Sequence, residues 1–256
     1  MNLNNEIKLA KYILAATRKE ILTHFQSDFK IEYKKDQSPV TIADQKSEEI
    51  VRTLLAKETP DYNVVGEEFG GEVGTTSREW VIDPIDGTKS FIHGVPLFGT
   101  LLALIENGKP LLGFMDFPAL NIQVWAASGQ GAFLNDQPCS VSKTSSIEEA
   151  TLLDGNIVRM EKEGYLAPWK SLISRAKIYR GWGDCYGYYL VATGKAEVMV
   201  DPIVNVWDVA PIGIILKEAG GLFTSISGEE TILGGTGIGS NGILHPTVVS
   251  QFNQST

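Results

Sequence analysis

The alternation of apolar and polar positions divides the chain into a helical start, a run of strands and a mixed second half. Between residues 5 and 25 apolar residues recur every three or four positions, which predicts an amphipathic helix. A second helix is predicted after Thr41, because Thr41 and Asp44 have the spacing of a capping box. Its buried face would be formed by Ile50, Val51, Leu54 and Leu55.

After Pro60 the pattern changes to short apolar runs separated by Gly, Pro and Asn, which is typical of strands. The predicted strands are residues 62–65, 79–82, 97–105, 111–116 and 122–127. A run of strands beside segregated helices favours an α+β arrangement for this half of the chain.

The polar stretch 140–149 is the predicted boundary between two domains. Residues 1–142 would form an α+β half that carries most candidate metal ligands, and residues 143–256 an α/β half. In the second half we predict helices around 166–175, 186–193 and 207–219, and a strand at 198–200. Gly220 is expected to end the last of these helices, because glycine readily adopts the left-handed conformation found there.

A glycine-rich segment near the C-terminus, Gly237 to Gly242, matches the G-x-G-x-x-G pattern of dinucleotide-binding proteins. That pattern needs a following helix and an acidic residue about 20 positions later. Only fourteen residues remain and none is acidic, so we interpret the segment as a turn in a terminal strand pair. Nucleotide binding stays open as a weaker alternative.

The overall charge argues against a nucleic-acid polymer as partner. The 256 residues include 31 acidic and 22 basic side chains, a formal charge of −9, and no run of Lys or Arg. The two cysteines, Cys139 and Cys185, are interpreted as reduced thiols rather than a disulfide or zinc site. The longest apolar stretch, 95–105, is too short to span a bilayer and no basic leader precedes it, so we expect a cytoplasmic protein without a membrane partner.

Acidic residues cluster where predicted strands end or helices begin. The clusters are Asp44, Glu67 with Glu68, Asp83 with Asp86, and Asp208. Taken singly, each has a simple explanation, because an acidic side chain at a helix N-terminus stabilises the helix dipole.

The segment from Asp83 to Thr88 is harder to explain by capping alone. An apolar strand delivers Asp83 and Asp86, separated by a proline that fixes the backbone and by Ile85, whose carbonyl can point with them. Gly87 and Thr88 then begin a predicted helix, whose free N–H groups suit an anion. Because Mg²⁺ prefers carboxylate and phosphate oxygens, the segment predicts a metal beside a phosphate.

These motifs together resemble the inositol monophosphatase family of metal-dependent, lithium-sensitive phosphatases. The resemblance covers nearly the whole chain and is carried by Gly66-Glu67-Glu68, by the segment from Asp83 to Thr88, by Trp207-Asp208-Val209-Ala210 and by Glu218-Ala219-Gly220-Gly221. It implies an α+β fold built as a layered α-β-α-β-α sandwich, a homodimer, and hydrolysis of a small phosphorylated metabolite with two to three Mg²⁺ per active site.

The resemblance also implies a role for each matching residue. Glu67, Asp83 and the Ile85 carbonyl would hold one Mg²⁺; Asp83, Asp86 and Asp208 a second; and Glu67 with waters a weaker third. Asp44 and Thr88 would polarise the attacking water, a role that is compatible with helix capping by Asp44. The N–H groups of Gly87 and Thr88 would bind phosphate.

Within the family, the sequence is most similar to enzymes acting on L-histidinol phosphate. The evidence is Lys89-Ser90 after the Asp83–Thr88 segment and the pattern from Gly183 to Tyr188. Asp184 and Asp201 would pair with the substrate ammonium and imidazole, Asp208 would also face the substrate, and Arg180 would shape the pocket. Helix capping is the alternative role for Asp184.

Other functions stay open at this point. The closest alternatives are an inositol or sugar monophosphatase and a phosphatase of 3′-phosphoadenosine nucleotides. A different class of function is a regulatory protein that binds Mg²⁺ and phosphate without hydrolysis, although binding alone does not need a water-polarising pair such as Asp44 and Thr88.

Overall fold

The secondary structure follows most of the predicted elements, in a computed structural model that describes residues 3–27, 31–34 and 39–253. The helices are α1 (Asn4–His24), α2 (Ile42–Glu58), α3 (Thr88–Ile92), α4 (Ile157–Lys162), α5 (Leu166–Ile173), α6 (Asp184–Ala192), α7 (Val206–Glu218) and α8 (His245–Asn253). The strands are β1 (Ile31–Tyr33), β2 (Pro39–Thr41), β3 (Asn63–Gly66), β4 (Arg78–Asp86), β5 (Gly99–Glu106), β6 (Lys109–Phe117), β7 (Ile122–Ala127), β8 (Gly131–Leu134), β9 (Gln137–Cys139), β10 (Thr151–Asp154), β11 (Ile178–Arg180), β12 (Val198–Asp201), β13 (Leu222–Thr224) and β14 (Gly237–Ser240).

The N-terminal half is built on a seven-stranded sheet with the order β3-β4-β5-β6-β7-β8-β9. Strand β3 runs parallel to β4, and each later neighbour is antiparallel. Helices α1 and α2 cover one face of this sheet, where Leu14, Val51 and Leu55 pack against Trp80 and Leu102. The predicted amphipathic helices therefore bury their apolar stripes as one layer.

The C-terminal half supplies the remaining layers. Helices α6 and α7 lie on the other face of the seven-stranded sheet, in a core that includes Leu101, Met115, Tyr188 and Ile215. Their opposite side meets a five-stranded sheet with the order β11-β10-β12-β14-β13, and α4, α5 and α8 cover its outer face. The α+β class and the layered α-β-α-β-α sandwich are thus confirmed.

The predicted domain boundary falls in the connection between the two sheets. The first sheet ends at Cys139 and the second begins at Thr151. However, α6 and α7 share one apolar core with the N-terminal sheet, so the halves are extensively packed together. The division into domains 1–142 and 143–256 stays a prediction.

The glycine-rich segment belongs to a terminal strand pair, as predicted, but the interpretation of residues 237–240 as a turn is wrong. These residues form β14, an inner strand between β12 and β13. A Cβ atom on Gly237 or Gly239 would lie 2.7 Å from the Tyr188 side chain, so the glycines make room for that ring. The predicted end of the preceding helix is correct, since Gly220 has φ +87° just after α7.

Two other expectations were that the cysteines are reduced thiols and that no segment spans a membrane. Cys139 and Cys185 are both free thiols. Among the described residues, no helix combines the length and the apolar character needed to cross a bilayer.

A buried histidine links the last helix to the second sheet. The imidazole of His245 lies 3.0 Å from the Thr224 hydroxyl and 2.8 Å from the Ser240 hydroxyl. Burial lowers the pKa of His245 to about 4, because a charged imidazolium would be poorly solvated there. His245 is therefore neutral in the folded protein at pH 7.

We predict that this histidine makes stability sensitive to mild acid. Between about pH 6.5 and pH 4 the unfolded chain binds a proton that folded His245 does not, which favours unfolding by up to about 3 kcal/mol. The stability advantage of the wild type over His245→Gln should therefore shrink as the pH falls through this range, as measured by urea unfolding with a chelator present. An advantage that does not change with pH would contradict the prediction. The exposed His93→Gln is the control.

Candidate metal centre and substrate cleft

Strand β4 ends in the segment that carries the first two candidate metal ligands. Its pairing with β5 is interrupted between Asp83 and Asp86, where the strand bulges around the intervening proline. The N–H of Ile85 donates to Asp83 Oδ1 at 3.0 Å, and the Thr100 hydroxyl donates to the Pro84 carbonyl at 2.8 Å. These bonds fix the backbone from which both carboxylates project.

The third candidate ligand comes from the start of α7. The N–H of Asn205 donates to Asp208 Oδ2 at 2.7 Å, so one carboxylate oxygen stabilises the helix N-terminus. A carboxylate has a second oxygen, and the capping interaction thereby holds Asp208 in a defined orientation. Capping and metal binding are compatible at this residue.

These three carboxylates converge. One oxygen each from Asp83, Asp86 and Asp208 lie within 4.8 Å of one another. Burial, and then the neighbouring negative charges, raise the pKa values of Asp83 and Asp86 well above the usual range. Burial raises the pKa of Asp208 to about 7. A cluster of hard oxygen donors with this much unfavourable charge fits a divalent cation.

Glu67 faces this cluster from the loop after β3. It is close enough that its charge contributes to the raised pKa of Asp83, after burial. Its Oε1 lies 2.8 Å from the ammonium of Lys34, which also lies 2.7 Å from Glu68 Oε1. This contact of Lys34 is not predicted from the sequence, because nothing in the local pattern distinguishes this lysine from a solvated one.

Asp44 occupies the predicted capping box at the start of α2. Its Oδ2 accepts bonds from the Thr41 N–H at 2.8 Å and the Thr41 hydroxyl at 2.6 Å. Its Oδ1 is buried and has no hydrogen-bond partner among the described residues. Burial raises the pKa of Asp44 to about 6. An oriented, buried oxygen with no partner in the protein is suited to accept a hydrogen bond from a water molecule.

The turn between β4 and α3 contains the predicted phosphate-binding residues. Gly87 has φ +84°, and a Cβ atom there would lie 3.1 Å from the Leu97 carbonyl, so glycine is required. Thr88 begins α3 and donates its hydroxyl hydrogen to the Ile85 carbonyl at 3.0 Å. Ala43, next to Asp44, shares an apolar cluster with Ile85 and Phe91, which brings the start of α2 to this turn.

A cleft of about 550 Å³ opens beside Asp184, whose charge contributes, after burial, to the raised pKa of Asp86 in the cluster. Asp184 and Asp201 both line it, and so do Lys89 and Trp182; that the two carboxylates face a substrate stays a prediction. Burial raises the pKa values of Asp184 and Asp201. The N-cap residue of α6 is Gly183, so the alternative role of Asp184 as the helix cap is wrong.

Two glycines form part of the lining. Gly155 and Gly183 approach so closely that a Cβ atom on Gly183 would lie 2.2 Å from the Gly155 Cα. A Cβ atom on Gly155 would lie 2.7 Å from Asp201 Oδ1. Because neither residue has a side chain, the two backbones can meet and the Asp201 carboxylate can lie beside Gly155.

The prediction that Arg180 shapes the pocket is not supported. Arg180 ends the short strand β11 and is exposed, its guanidinium donates to the Tyr179 carbonyl at 2.7 Å, and it does not line the cleft. The arginine that does line it is Arg159 on α4, which pairs with Glu163 at 3.1 Å. Nothing in the sequence around Arg159 predicts that this residue lines the cleft.

Comparison with known proteins agrees with the motifs. The model of the inositol monophosphatase family matches residues 3–256. The chain is similar to the histidinol-phosphatase of Mycobacterium tuberculosis, with 38% identity over 231 residues that cover 88% of this chain and 89% of that protein. The histidinol-phosphatase of Chlorobaculum parvum is 40% identical over 239 residues, which cover 91% and 90%. The solved structure of the Thermotoga maritima IMPase superimposes with a TM-score of 0.90 at 32% identity and covers 98% of both chains.

These matches span almost the whole chain, and the fold and acidic cluster described above agree with them. They decide between an enzyme and a regulatory binding protein in favour of a phosphomonoesterase, and they imply a divalent metal at the carboxylate cluster. The chain belongs to the inositol monophosphatase family.

Proposed function

We propose that this protein is a Mg²⁺-dependent phosphatase that hydrolyses L-histidinol phosphate to L-histidinol and inorganic phosphate. The observation that carries the proposal is the pair of partly buried carboxylates, Asp184 and Asp201, that line one cleft next to Asp86 of the acidic cluster. The similarity to two histidinol-phosphatases supports the same substrate.

The residues suited to hold Mg²⁺ are those of the cluster and its neighbours. Glu67, Asp83 and the Ile85 carbonyl would bind one ion; Asp83, Asp86 and Asp208 a second; and Glu67 with waters a third. When bound, Mg²⁺ supplies positive charge that neutralises the carboxylates and the phosphate and makes water more acidic.

The attacking water would be held by Asp44 and Thr88. Because the Thr88 hydroxyl donates to the Ile85 carbonyl, its oxygen remains able to accept a hydrogen bond from water. Asp44 Oδ1 is a second acceptor with no partner among the described residues, and the start of α2 packs against the turn that carries Thr88. The water oxygen bonds to phosphorus as the ester P–O bond breaks, the water proton passes to Asp44, and the leaving oxygen of L-histidinol takes a proton from solvent.

The remaining groups would bind the two ends of the substrate. Amide N–H groups of Gly87 and Thr88 at the start of α3 are donors for the phosphate oxygens. L-histidinol phosphate carries an ammonium and an imidazole, which can pair with Asp184 and Asp201. The charge of Lys89 offsets the burial of Asp184 only in part, and the charge of Asp184 adds to the effect of burial on Asp201. A cationic substrate would stabilise both carboxylates.

The alternative substrate is an inositol or sugar phosphate. Lys89 and Arg159 line the same cleft and favour a ligand with further anionic or hydroxyl groups. The IMPase from Thermotoga maritima, with the same fold at 32% identity, supports this alternative. A 3′-phosphoadenosine nucleotide is a further candidate, and the homodimer stays a prediction.

We predict that histidinol phosphate is preferred over inositol 1-phosphate and 3′-phosphoadenosine 5′-phosphate. The measurement is steady-state phosphate release at matched Mg²⁺, compared as kcat/KM. Asp201→Asn should raise KM for histidinol phosphate by about tenfold or more, since a charge-assisted bond is lost. Its KM for inositol 1-phosphate should change little. A preference of the wild type for inositol 1-phosphate by more than tenfold would exclude the proposed substrate.

We predict that Asp83→Asn lowers kcat by about 1,000-fold or more, because metal-ion stabilisation of the transition state supplies several kcal/mol. Li⁺ should inhibit the wild type in the same phosphate-release assay. The matched control is Asp136→Asn, a carboxylate paired with Lys11 at the β8–β9 turn, which should keep wild-type turnover. A normal rate in Asp83→Asn would mean that the metal site is wrongly assigned.

We predict that Mg²⁺ raises Tm and binds more tightly as the pH rises from about 6 to about 8. In the metal-free protein Asp208 has a pKa of about 7, so a proton competes with Mg²⁺ below that pH and is released on binding. Isothermal titration calorimetry in buffers with different ionisation enthalpies measures both the affinity and the proton release. Affinity that does not depend on pH would contradict this prediction.

A further inference from the structure

We infer that Glu48 and Arg52 on α2 are positioning residues for the metal centre. They hold the loop from Gly66 to Gly70 in place, so that Glu67 is presented to the metal before the metal binds. The inference rests on the proposed role of Glu67 as a metal ligand.

Glu48 holds the loop by its backbone N–H groups. Its side chain is fully buried, and its Oε2 accepts the N–H of Glu68 at 2.8 Å. Its Oε1 accepts the N–H of Phe69 at 3.2 Å and the Nε–H of Arg52 at 2.8 Å. The carboxylate therefore binds both residues that directly follow Glu67.

Arg52 holds the same loop by its carbonyl groups. One Nη donates to the Val64 carbonyl at 3.2 Å, and the other donates to the Gly70 carbonyl at 2.6 Å. These two carbonyls lie on either side of Glu67 along the chain. With its ion pair to Glu48, the planar guanidinium thus connects the end of β3 to the end of the loop.

The geometry of Gly66 shows how closely Glu48 approaches the loop. A Cβ atom on Gly66 would lie 2.0 Å from Glu48 Oε1. The glycine before Glu67 is therefore needed to admit the carboxylate of Glu48. The loop is closed by hydrogen bonds in both directions between Gly66 and Gly70, at 3.0 and 3.1 Å.

Helix α2 thereby supports two parts of the proposed site. Asp44, which would hold the attacking water, lies four residues before Glu48, and Arg52 lies four residues after it. Residues at this spacing lie on one face of a helix. A single rigid element then sets the distance between Asp44 and the loop that carries Glu67.

The protein also contains a matched control for a purely structural role. Glu79, likewise buried, accepts the N–H groups of Gly74 at 2.8 Å and Thr75 at 3.0 Å and so fixes the next loop. That loop carries none of the proposed metal ligands. A variant of Glu79 therefore removes the same kind of anchor without touching the metal centre.

The test compares Glu48→Gln with Glu79→Gln in the full-length protein. The glutamine amide cannot accept all three of the hydrogen bonds that Glu48 accepts, so the loop should loosen. In Glu48→Gln, Mg²⁺ should bind at least about tenfold more weakly by calorimetry, with kcat at saturating Mg²⁺ within about threefold of wild type. Hydrogen exchange at the amides of Glu68 and Phe69 should be at least about tenfold faster in the metal-free variant. Glu79→Gln should leave Mg²⁺ affinity and these two amides unchanged.

A second pair of variants covers the case in which Glu48→Gln does not fold. Arg52→Lys keeps a positive charge beside Glu48 but cannot reach both carbonyls, and it should weaken Mg²⁺ binding in the same direction. Gly66→Ala should also weaken Mg²⁺ binding. In a Glu48→Ala background the same substitution should cause no further loss of Mg²⁺ affinity, because the carboxylate that its Cβ atom would contact is absent.

The outcomes separate this inference from the proposed function. If Asp83→Asn is inactive but the Glu48 and Arg52 variants bind Mg²⁺ as the wild type does, the positioning role is excluded and the metal site stands. If Asp83→Asn is fully active, the metal site itself is excluded. Equal losses of Mg²⁺ affinity in Glu48→Gln and Glu79→Gln would also overturn the inference, because they would indicate a general loss of stability.

Discussion

The structure depends on the repulsion between carboxylates that lie close together where its sheets and helices meet. Asp83, which is buried, and Asp86 and Asp208, which are partly buried, bring negative charge together, and Glu67 adds to it. Such an arrangement is unfavourable for folding without a counter-charge. The surrounding layers must therefore hold these side chains in place although their charges repel one another. A divalent cation would neutralise that charge.

Three carboxylates of the proposed site also make hydrogen bonds that stabilise the local structure. One oxygen of Asp208 caps α7, one oxygen of Asp44 caps α2, and Asp83 accepts the N–H of Ile85. Each bond orients the side chain and leaves another oxygen available. The same interactions that favour helix formation thus preorganise the chemistry, which is why the capping and functional interpretations of these residues do not compete.

The sequence predicted the helices, most of the strands and the acidic cluster because their signals are local, whereas the layered arrangement was implied only by the family resemblance. Helical periodicity, the capping spacing of Thr41 and Asp44, and the segment from Asp83 to Thr88 each lie within a few residues. Lys34 and Glu48 were missed because their roles depend on contacts with residues 20 or more positions away. The sequence predicted Arg180 at the pocket and gave no indication of Arg159, because only the packed structure shows which short element borders the cleft.

The contact between Gly155 and Gly183 limits how this enzyme can diverge. Two backbones meet there with no room for a side chain, so this part of the lining cannot be reshaped by one substitution. Asn156 and Arg159, exposed lining residues at the start of α4, carry no such restriction. Changes in substrate range on this scaffold should therefore accumulate at such exposed positions while the two glycines stay constant.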